Sequence, residues 1–181
     1  EALFDSPRYI HLVRHPYAMI DSFLRVRMDR LLNTGGMDPA RLAEHIWATT
    51  TGNTLDFLAS LDPERSLLVK FEDLVSRPEE ITQQVCAFLN LPFVPELLEP
   101  YSGERMTDGV HGASLSIGDP NFHKHQKIEA RYAEAWRPAR LPYRPGGAVR
   151  RIAAELGYEM PWPLQPAAEK KSSSRTPAAP P

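Results

Sequence analysis

The sequence has little cysteine, little net charge and no long apolar run. Its 181 residues include one cysteine, Cys86, which excludes an internal disulfide and predicts a reducing, cytoplasmic setting. No apolar stretch approaches the roughly 20 residues that a membrane-spanning helix needs, so we predict no membrane partner. The formal net charge of −2 gives no electrostatic reason to expect nucleic acid as a partner.

Further absences concern ligands and processing. The six histidines lack the paired spacing of a zinc site, so no metal is predicted. The chain has no Gly-rich G-x-x-x-x-G-K-[ST] loop of the kind that cradles nucleotide phosphates. It also lacks a secretory leader and an initiator methionine, and it opens directly before a predicted strand. We therefore expect it to be a piece of a longer polypeptide with neighbouring domains.

Residues 7–23 form the stretch around which the chain is organised. The apolar run at residues 9–13 predicts a short buried strand. Arg14 and His15 end the run, and Pro16 predicts the start of a helix because its fixed φ suits that position. The following apolar residues have helical spacing and predict one helix face, formed by Ile20, Phe23, Leu24, Met28 and Leu31.

This junction between strand and helix predicts an anion-binding site. Ligands of α/β proteins bind at the carboxyl ends of strands, and a helix N-terminus offers free N–H groups and partial positive charge. Arg14 adds a planar fork of donors that suits a phosphate, and Ser22 can lean back toward the same point. The alternative is a structural role, in which Arg14 forms an ion pair at the end of a buried strand.

The rest of the chain alternates helices with a second strand, which predicts an α/β fold with a short parallel sheet flanked by helices. Asp38, the Ser76 and Glu79 pair and Gly157 supply the end signals of the helices. The predicted elements are a helix at 39–61, a buried strand at 66–71, a helix at about 77–90 and a helix at 146–156.

A loop, a cationic segment and one further helix are predicted between the helix at about 77–90 and the helix at 146–156. Residues 92–122 show no period and contain several prolines, and a loop of that length is usually either functional or disordered. A helix with Ile128, Tyr132, Ala135 and Trp136 on its apolar face is predicted next, and its start holds two imidazoles and two ammonium groups: His123, Lys124, His125 and Lys127. A histidine suits a general base, and positive charge stabilises a leaving phosphate. The alternatives are a solvated basic helix start, or His111 as the base.

Three stretches together resemble a known family: YIHLVRHPYAMIDSF, LLVKFEDLVSRPEEITQQVCAFLNL and SLSIGDPNFHKHQKI. They are similar to sulfotransferases that use 3′-phosphoadenosine 5′-phosphosulfate (PAPS), and most narrowly to sulfotransferase domains embedded in polyketide synthases. The resemblance implies that Arg14 and Ser22 bind the 3′-phosphate of PAPS. It implies that Phe71, where the family often has tyrosine, stacks on the adenine. It assigns further cofactor contacts to Gly118, Lys124 and Lys127, and the base to His125, with His123 second.

The resemblance implies transfer of a sulfuryl group from PAPS to a hydroxyl, and its narrower form implies a β-hydroxyacyl acceptor on an acyl carrier protein. It covers about residues 1–160 and matches the latter part of the family's domain. We therefore expect the phosphate-loop unit to be missing, PAPS binding by this chain alone to be poor, and turnover by this chain alone to be absent. Residues 161–181, rich in Pro, Ala and Ser, predict a disordered linker.

Two other functions stay open at this point. A different P-loop transferase, such as a small-molecule kinase, needs Mg²⁺ ligands, and Glu72 and Asp73 are the nearby candidates. A non-catalytic scaffold or binding module would use Arg14 only as a structural residue. Dependence of ligand binding on Mg²⁺, and the effect of Arg14→Ala on binding, distinguish these alternatives.

Overall fold

The computed structural model describes residues 3–31, 35–102 and 126–164. These residues contain two strands and five α-helices, with short 3-10 turns between some of them. In chain order they are β1 (Tyr9–Val13), α1 (Pro16–Arg25), α2 (Pro39–Ala59), β2 (Ser66–Lys70), α3 (Phe71–Ser76), α4 (Pro78–Leu89) and α5 (Gly147–Glu155). The 3-10 turns are Met28–Leu31, Pro63–Arg65, Pro95–Leu98 and Ala130–Glu134.

The two strands form a parallel pair, which confirms the predicted α/β class. Tyr9 lies opposite Ser66 and Val13 lies opposite Lys70. Helices α1 and α2 make the crossover from β1 to β2, as parallel strands require. Both strands therefore end at the same edge, and the next residues along each strand, Arg14 and Phe71, emerge there together.

Helix α1 is shorter than the apolar spacing predicted. It starts at Pro16, where the Nδ1 atom of His15 caps the helix by accepting the backbone N–H of Tyr17. It ends at Arg25, because Arg27 takes a left-handed backbone conformation with φ +56°. The predicted helix face through Met28 and Leu31 is therefore wrong in its second half, where a 3-10 turn stands instead.

Helix α2 packs between α1 and α5. Asp38 caps it as predicted, since its Oδ1 accepts the backbone N–H of Arg41 at 3.0 Å. One apolar cluster joins α1 to α2 through Ile20, Phe23, Ala40 and Ala43. A second cluster joins β1, α2 and α5 through Val13, Trp47, Val149, Ile152, Ala153 and Leu156.

The predicted capping box before α4 is wrong. Ser76 ends α3, a short helix that the sequence pattern did not show, and Arg77 stands between the two helices. The Arg77 guanidinium bridges Asp73 of α3, at 3.0 Å, and Glu80 of α4, at 2.7 Å. The ion pairs of an arginine thus join the helices where a serine cap was expected. Cys86 is buried in α4.

Of the last two predicted helices, one does not form and the other does. The helix predicted beyond residue 127 is wrong in type, since only the 3-10 turn Ala130–Glu134 forms there. Pro138 follows closely and has no N–H to continue a helix. Helix α5 forms as predicted, and Gly157 follows it with φ +70° as the left-handed terminating residue.

Both strands are less buried than the sequence predicted. Ile10, Leu12 and Leu68 are 41%, 55% and 42% exposed, while Val13 and Val69 are buried. Among the described residues, no helix is long and apolar enough to cross a membrane. The predicted linker at 161–181 lies almost entirely outside the described residues, as does most of the predicted loop at 92–122.

Candidate anion-binding site at the carboxyl ends of the strands

The site is built on Arg14 and Phe71, which lie side by side where β1 and β2 end. They directly follow Val13 and Lys70, which are paired in the sheet. The guanidinium carbon of Arg14 lies over the Phe71 ring, 4.5 Å from its centroid. A guanidinium on an aromatic face is attracted by the ring quadrupole, and its planar fork of donors matches the geometry of a phosphate. The structure thus brings together two of the residues that the sequence assigned to one ligand.

The backbone of Arg14 is held from the side of α2. The indole Nε1 of the buried Trp47 donates a hydrogen bond to the Arg14 carbonyl at 3.0 Å. Sequence analysis did not identify Trp47 as a residue of this site. The signal that could have identified it is its indole N–H, because a buried indole usually donates a hydrogen bond to a nearby acceptor.

His15 is the most constrained residue at the junction. Its side chain is 2% exposed, and its Nδ1 accepts the Tyr17 backbone N–H at 3.1 Å. The neutral ring therefore carries its proton on Nε2, which donates to the Glu159 carbonyl at 2.9 Å. Burial lowers the pKa of His15 to about 4, partly offset by that carbonyl. With both ring nitrogens engaged, His15 is an uncharged structural group and not a proton acceptor for catalysis.

Glu72 and Tyr158 fix the same turn from two other parts of the chain. One Glu72 oxygen accepts the His15 backbone N–H at 2.9 Å, and the other accepts the Tyr158 hydroxyl at 2.8 Å. Burial and the neighbouring Glu72 carboxylate raise the pKa of the Tyr158 phenol, which keeps it protonated as a donor. The turn that carries Arg14 is therefore anchored to α3 and to the residues after α5.

The start of α1 offers fewer N–H groups to an anion than its position suggests. Pro16 has none, and the Tyr17 N–H is already bound to His15. The Met19 N–H bonds back to the His15 carbonyl at 3.1 Å. The Arg14 side chain is therefore the main candidate for an anion contact at this corner.

A cleft of about 350 Å³, lined in part by Arg14, lies between β1, the amino-terminal half of α1 and the middle of α2. Met19 lines it from α1 and Trp47 from α2, with a row of hydroxyl-bearing side chains next to them: Thr50, Thr51 and Thr54. Ser22 is half-buried and follows Met19 by most of a helical turn. Its predicted role at the phosphate stays a prediction.

The cationic segment is described only from residue 126 onward. Lys127 is exposed and precedes the 3-10 turn Ala130–Glu134, which packs against α3. Its predicted contact with the cofactor stays a prediction. The other predicted residues of this segment lie outside the described part of the chain: Gly118, His123, Lys124 and His125, together with the alternative base His111.

A parallel sheet with a fixed arginine at its carboxyl end and a proline-started helix behind it defines the class: an α/β protein with a cationic corner at the end of its strands. The family follows from a match of residues 1–95 to the family model described as the sulfotransferase family. That match spans more than half of the chain, and the chain belongs to the sulfotransferase family.

Two solved structures are similar to the chain over 88% of its length. The sulfotransferase domain from the curacin biosynthetic pathway is 51% identical, with a TM-score of 0.81 and 56% of that chain covered. The sulfotransferase domain from the olefin synthase of Synechococcus PCC 7002 is 42% identical, with a TM-score of 0.76 and 52% covered. The chain thus spans about half the length of these two domains, and it shares their fold.

Proposed function

We propose that this chain is part of an enzyme that transfers a sulfuryl group from PAPS to a hydroxyl. The observation that supports this most is the Arg14 guanidinium, held over Phe71 at the joint end of two parallel strands, in a member of the sulfotransferase family. In this proposal Arg14 and Ser22 bind the 3′-phosphate of the donor. Phe71 is half-buried and stacks on the adenine with the part of its ring that Arg14 leaves free.

The proposed reaction is a single displacement at sulfur. The acceptor oxygen attacks the sulfuryl group, the bond from sulfur to the 5′-phosphate oxygen breaks, and the acceptor proton passes to a base. The products are a sulfate ester and 3′-phosphoadenosine 5′-phosphate. We assign the base to His125, with His123 as the second candidate. Lys124 and Lys127 offset the charge on the departing phosphate, and Gly118 lets the backbone approach the nucleotide.

We propose a β-hydroxyacyl chain on an acyl carrier protein as the acceptor, in a cytoplasmic polyketide synthase. This is supported by the likeness to sulfotransferase domains from the curacin pathway and from an olefin synthase. The comparison that tests it is sulfation of a β-hydroxyacyl group on a carrier protein against sulfation of the same free acid. Equal rates for both would contradict a carrier-bound acceptor.

The kinase alternative is disfavoured by the orientation of Glu72. Both of its oxygens accept hydrogen bonds from the chain itself, one from His15 and one from Tyr158. A carboxylate that holds the fold in this way is not directed at a metal ion that bridges phosphates.

The test is calorimetric titration of 3′-phosphoadenosine 5′-phosphate into the natural polypeptide that carries this chain. Charge-assisted hydrogen bonds contribute about 1.5–3 kcal/mol, so Arg14→Ala is expected to weaken binding by about 10- to 150-fold. Arg8→Ala is the matched control, because Arg8 also lies over a phenylalanine, 5.7 Å from the Phe88 centroid, but before β1. Equal affinity of the wild type and Arg14→Ala would overturn the proposal in favour of a scaffold.

A further inference from the structure

The ring of His15 is stacked on the indole of Trp136. The two rings are nearly parallel, with an interplanar angle of 6° and centroids 4.6 Å apart. The contact joins the turn after β1 to the segment 126–137, which lies far along the chain. It is not needed to begin α1, because the helix cap uses only the Nδ1 atom of His15.

The His15 side of this contact is fixed independently of Trp136. The backbone N–H of His15 is bound to Glu72 and its Nε2 to the Glu159 carbonyl, both at 2.9 Å. The ring is therefore a rigid surface, and its position relative to Arg14, the preceding residue, is set. A side chain that stacks on this ring takes up a set position relative to Arg14 as well.

The Trp136 side carries Lys127. The segment 126–137 begins with two exposed residues, Gln126 and Lys127. It continues through the 3-10 turn Ala130–Glu134, which packs against α3, and it contacts the His15 ring through Trp136. Helix α3 itself starts at Phe71, the ring under Arg14. The segment is thus attached at two places to the elements that hold the Arg14 guanidinium.

We propose that Trp136 is a positioning residue for the donor nucleotide. Its stack on His15 fixes the distance between the segment that carries Lys127 and Arg14. At that distance one nucleotide can be bound at both of its phosphates together. This rests on the proposed function, in which Arg14 binds the 3′-phosphate and Lys127 acts at the 5′ end. Preorganisation of two charges for one ligand contributes to affinity only when the ligand carries both anions.

The test compares two probes in the natural polypeptide that carries this chain. Adenosine 3′-monophosphate needs only the Arg14 end, whereas 3′-phosphoadenosine 5′-phosphate needs both ends. In Trp136→Leu, the affinity for the second probe is expected to fall about three- to tenfold, as for loss of an aromatic pair, and that for the first to stay within about twofold. Trp136→Tyr retains an aromatic ring and is expected to restore the ratio of the two affinities.

Phe57→Leu is the matched control for the loss of a ring contact. Phe57 of α2 packs edge-on against Tyr9, with centroids 5.0 Å apart, at the opposite end of β1 from Arg14. This variant is expected to leave the ratio unchanged. If Trp136→Leu does not fold, His15→Asn is the alternative variant that removes the stacking contact. Asparagine retains an acceptor for the helix cap but has no ring to stack, and the same change of ratio is expected.

The outcomes separate the two proposals. An unchanged ratio in Trp136→Leu, or an equal loss for both probes, overturns the positioning role while leaving Arg14-dependent binding intact. Absence of Arg14-dependent binding in the wild type overturns the proposed function and, with it, the positioning role. Loss confined to the two-phosphate probe, with recovery in Trp136→Tyr, supports both.

Discussion

The backbone N–H of His15 donates to a Glu72 oxygen 2.9 Å away, which ties the turn after β1 to the first turn of α3. The second Glu72 oxygen accepts the Tyr158 hydroxyl, from the residues that follow α5. One carboxylate therefore joins three parts of the chain that are distant in sequence. The orientation of Arg14, the residue before His15, therefore depends on Glu72, although Glu72 has a structural role and Arg14 is proposed to bind the ligand.

Replacing Glu72 by alanine is expected to lower the free energy of unfolding by about 2–4 kcal/mol, because it leaves the His15 N–H and the Tyr158 hydroxyl without their charged acceptor. Urea denaturation of this chain followed by circular dichroism measures the change. Glu79→Ala removes an exposed glutamate of α4 that accepts a hydrogen bond from Gln83, and is expected to change stability by less than about 0.5 kcal/mol. Similar losses in the two variants would contradict the anchoring role of Glu72.

Stability is also expected to depend on pH through His15. Its pKa is lowered to about 4 in the folded chain, against 6.5 for the unperturbed imidazole. The unfolded state therefore binds more protons between these values, so the stabilisation is complete above pH 6.5 and decreases as the pH falls toward 4. The slope is about 1.4 kcal/mol per pH unit for one such group. Burial also lowers the pKa of His11, which acts in the same direction.

The measurement is the free energy of unfolding of this chain from pH 7.5 to 4.5. His15→Asn is expected to have a flatter profile over that window, because it removes the buried imidazole while retaining a helix cap. His45→Asn removes an exposed histidine of α2 and is expected to keep the slope of the wild type. A slope that does not change in His15→Asn would show that the pH dependence has another origin.

Much of the fold and part of the site could be predicted from the sequence. Arg14 follows one short apolar run and Phe71 ends the other, and parallel strands end at one edge, so their proximity follows from the order of the elements. The ends of α2 and α5 follow from local signals, Asp38 and Gly157, whose effect does not depend on the rest of the fold.

The remainder depends on contacts between distant residues that leave no periodic signal. The acceptors for Trp47 and for the His15 ring are backbone carbonyls of Arg14 and Glu159, which no side-chain pattern identifies. Helix α3 is too short to show a helical period. The exposure of Leu12 and Leu68 depends on which strand faces are covered, and an apolar run reports only strand propensity.

Removal of divalent metal distinguishes the sulfotransferase proposal from the kinase alternative. Binding of 3′-phosphoadenosine 5′-phosphate to the natural polypeptide is expected to be the same with Mg²⁺ and with an excess of EDTA. The reason is that in the proposed complex Arg14 supplies the charge at the phosphate, while the Glu72 oxygens accept hydrogen bonds from His15 and Tyr158. A loss of about tenfold or more in EDTA would favour a metal-bridged phosphate and the kinase class.

Phe71 has two partners in the proposed complex, the Arg14 guanidinium and the adenine. Phe71→Leu removes both stacking surfaces, and since base stacking on an aromatic ring contributes about 1–3 kcal/mol, the affinity for 3′-phosphoadenosine 5′-phosphate is expected to fall about 5- to 150-fold. Phe71→Tyr keeps the ring and adds a hydroxyl that can bond to the base, so its affinity is expected to equal or exceed that of the wild type. Phe88→Leu is the control, because Phe88 carries Arg8 and lies in α4. Calorimetric titration measures the affinity of all three variants. Equal affinities of Phe71→Leu and Phe88→Leu would contradict stacking of the adenine on Phe71.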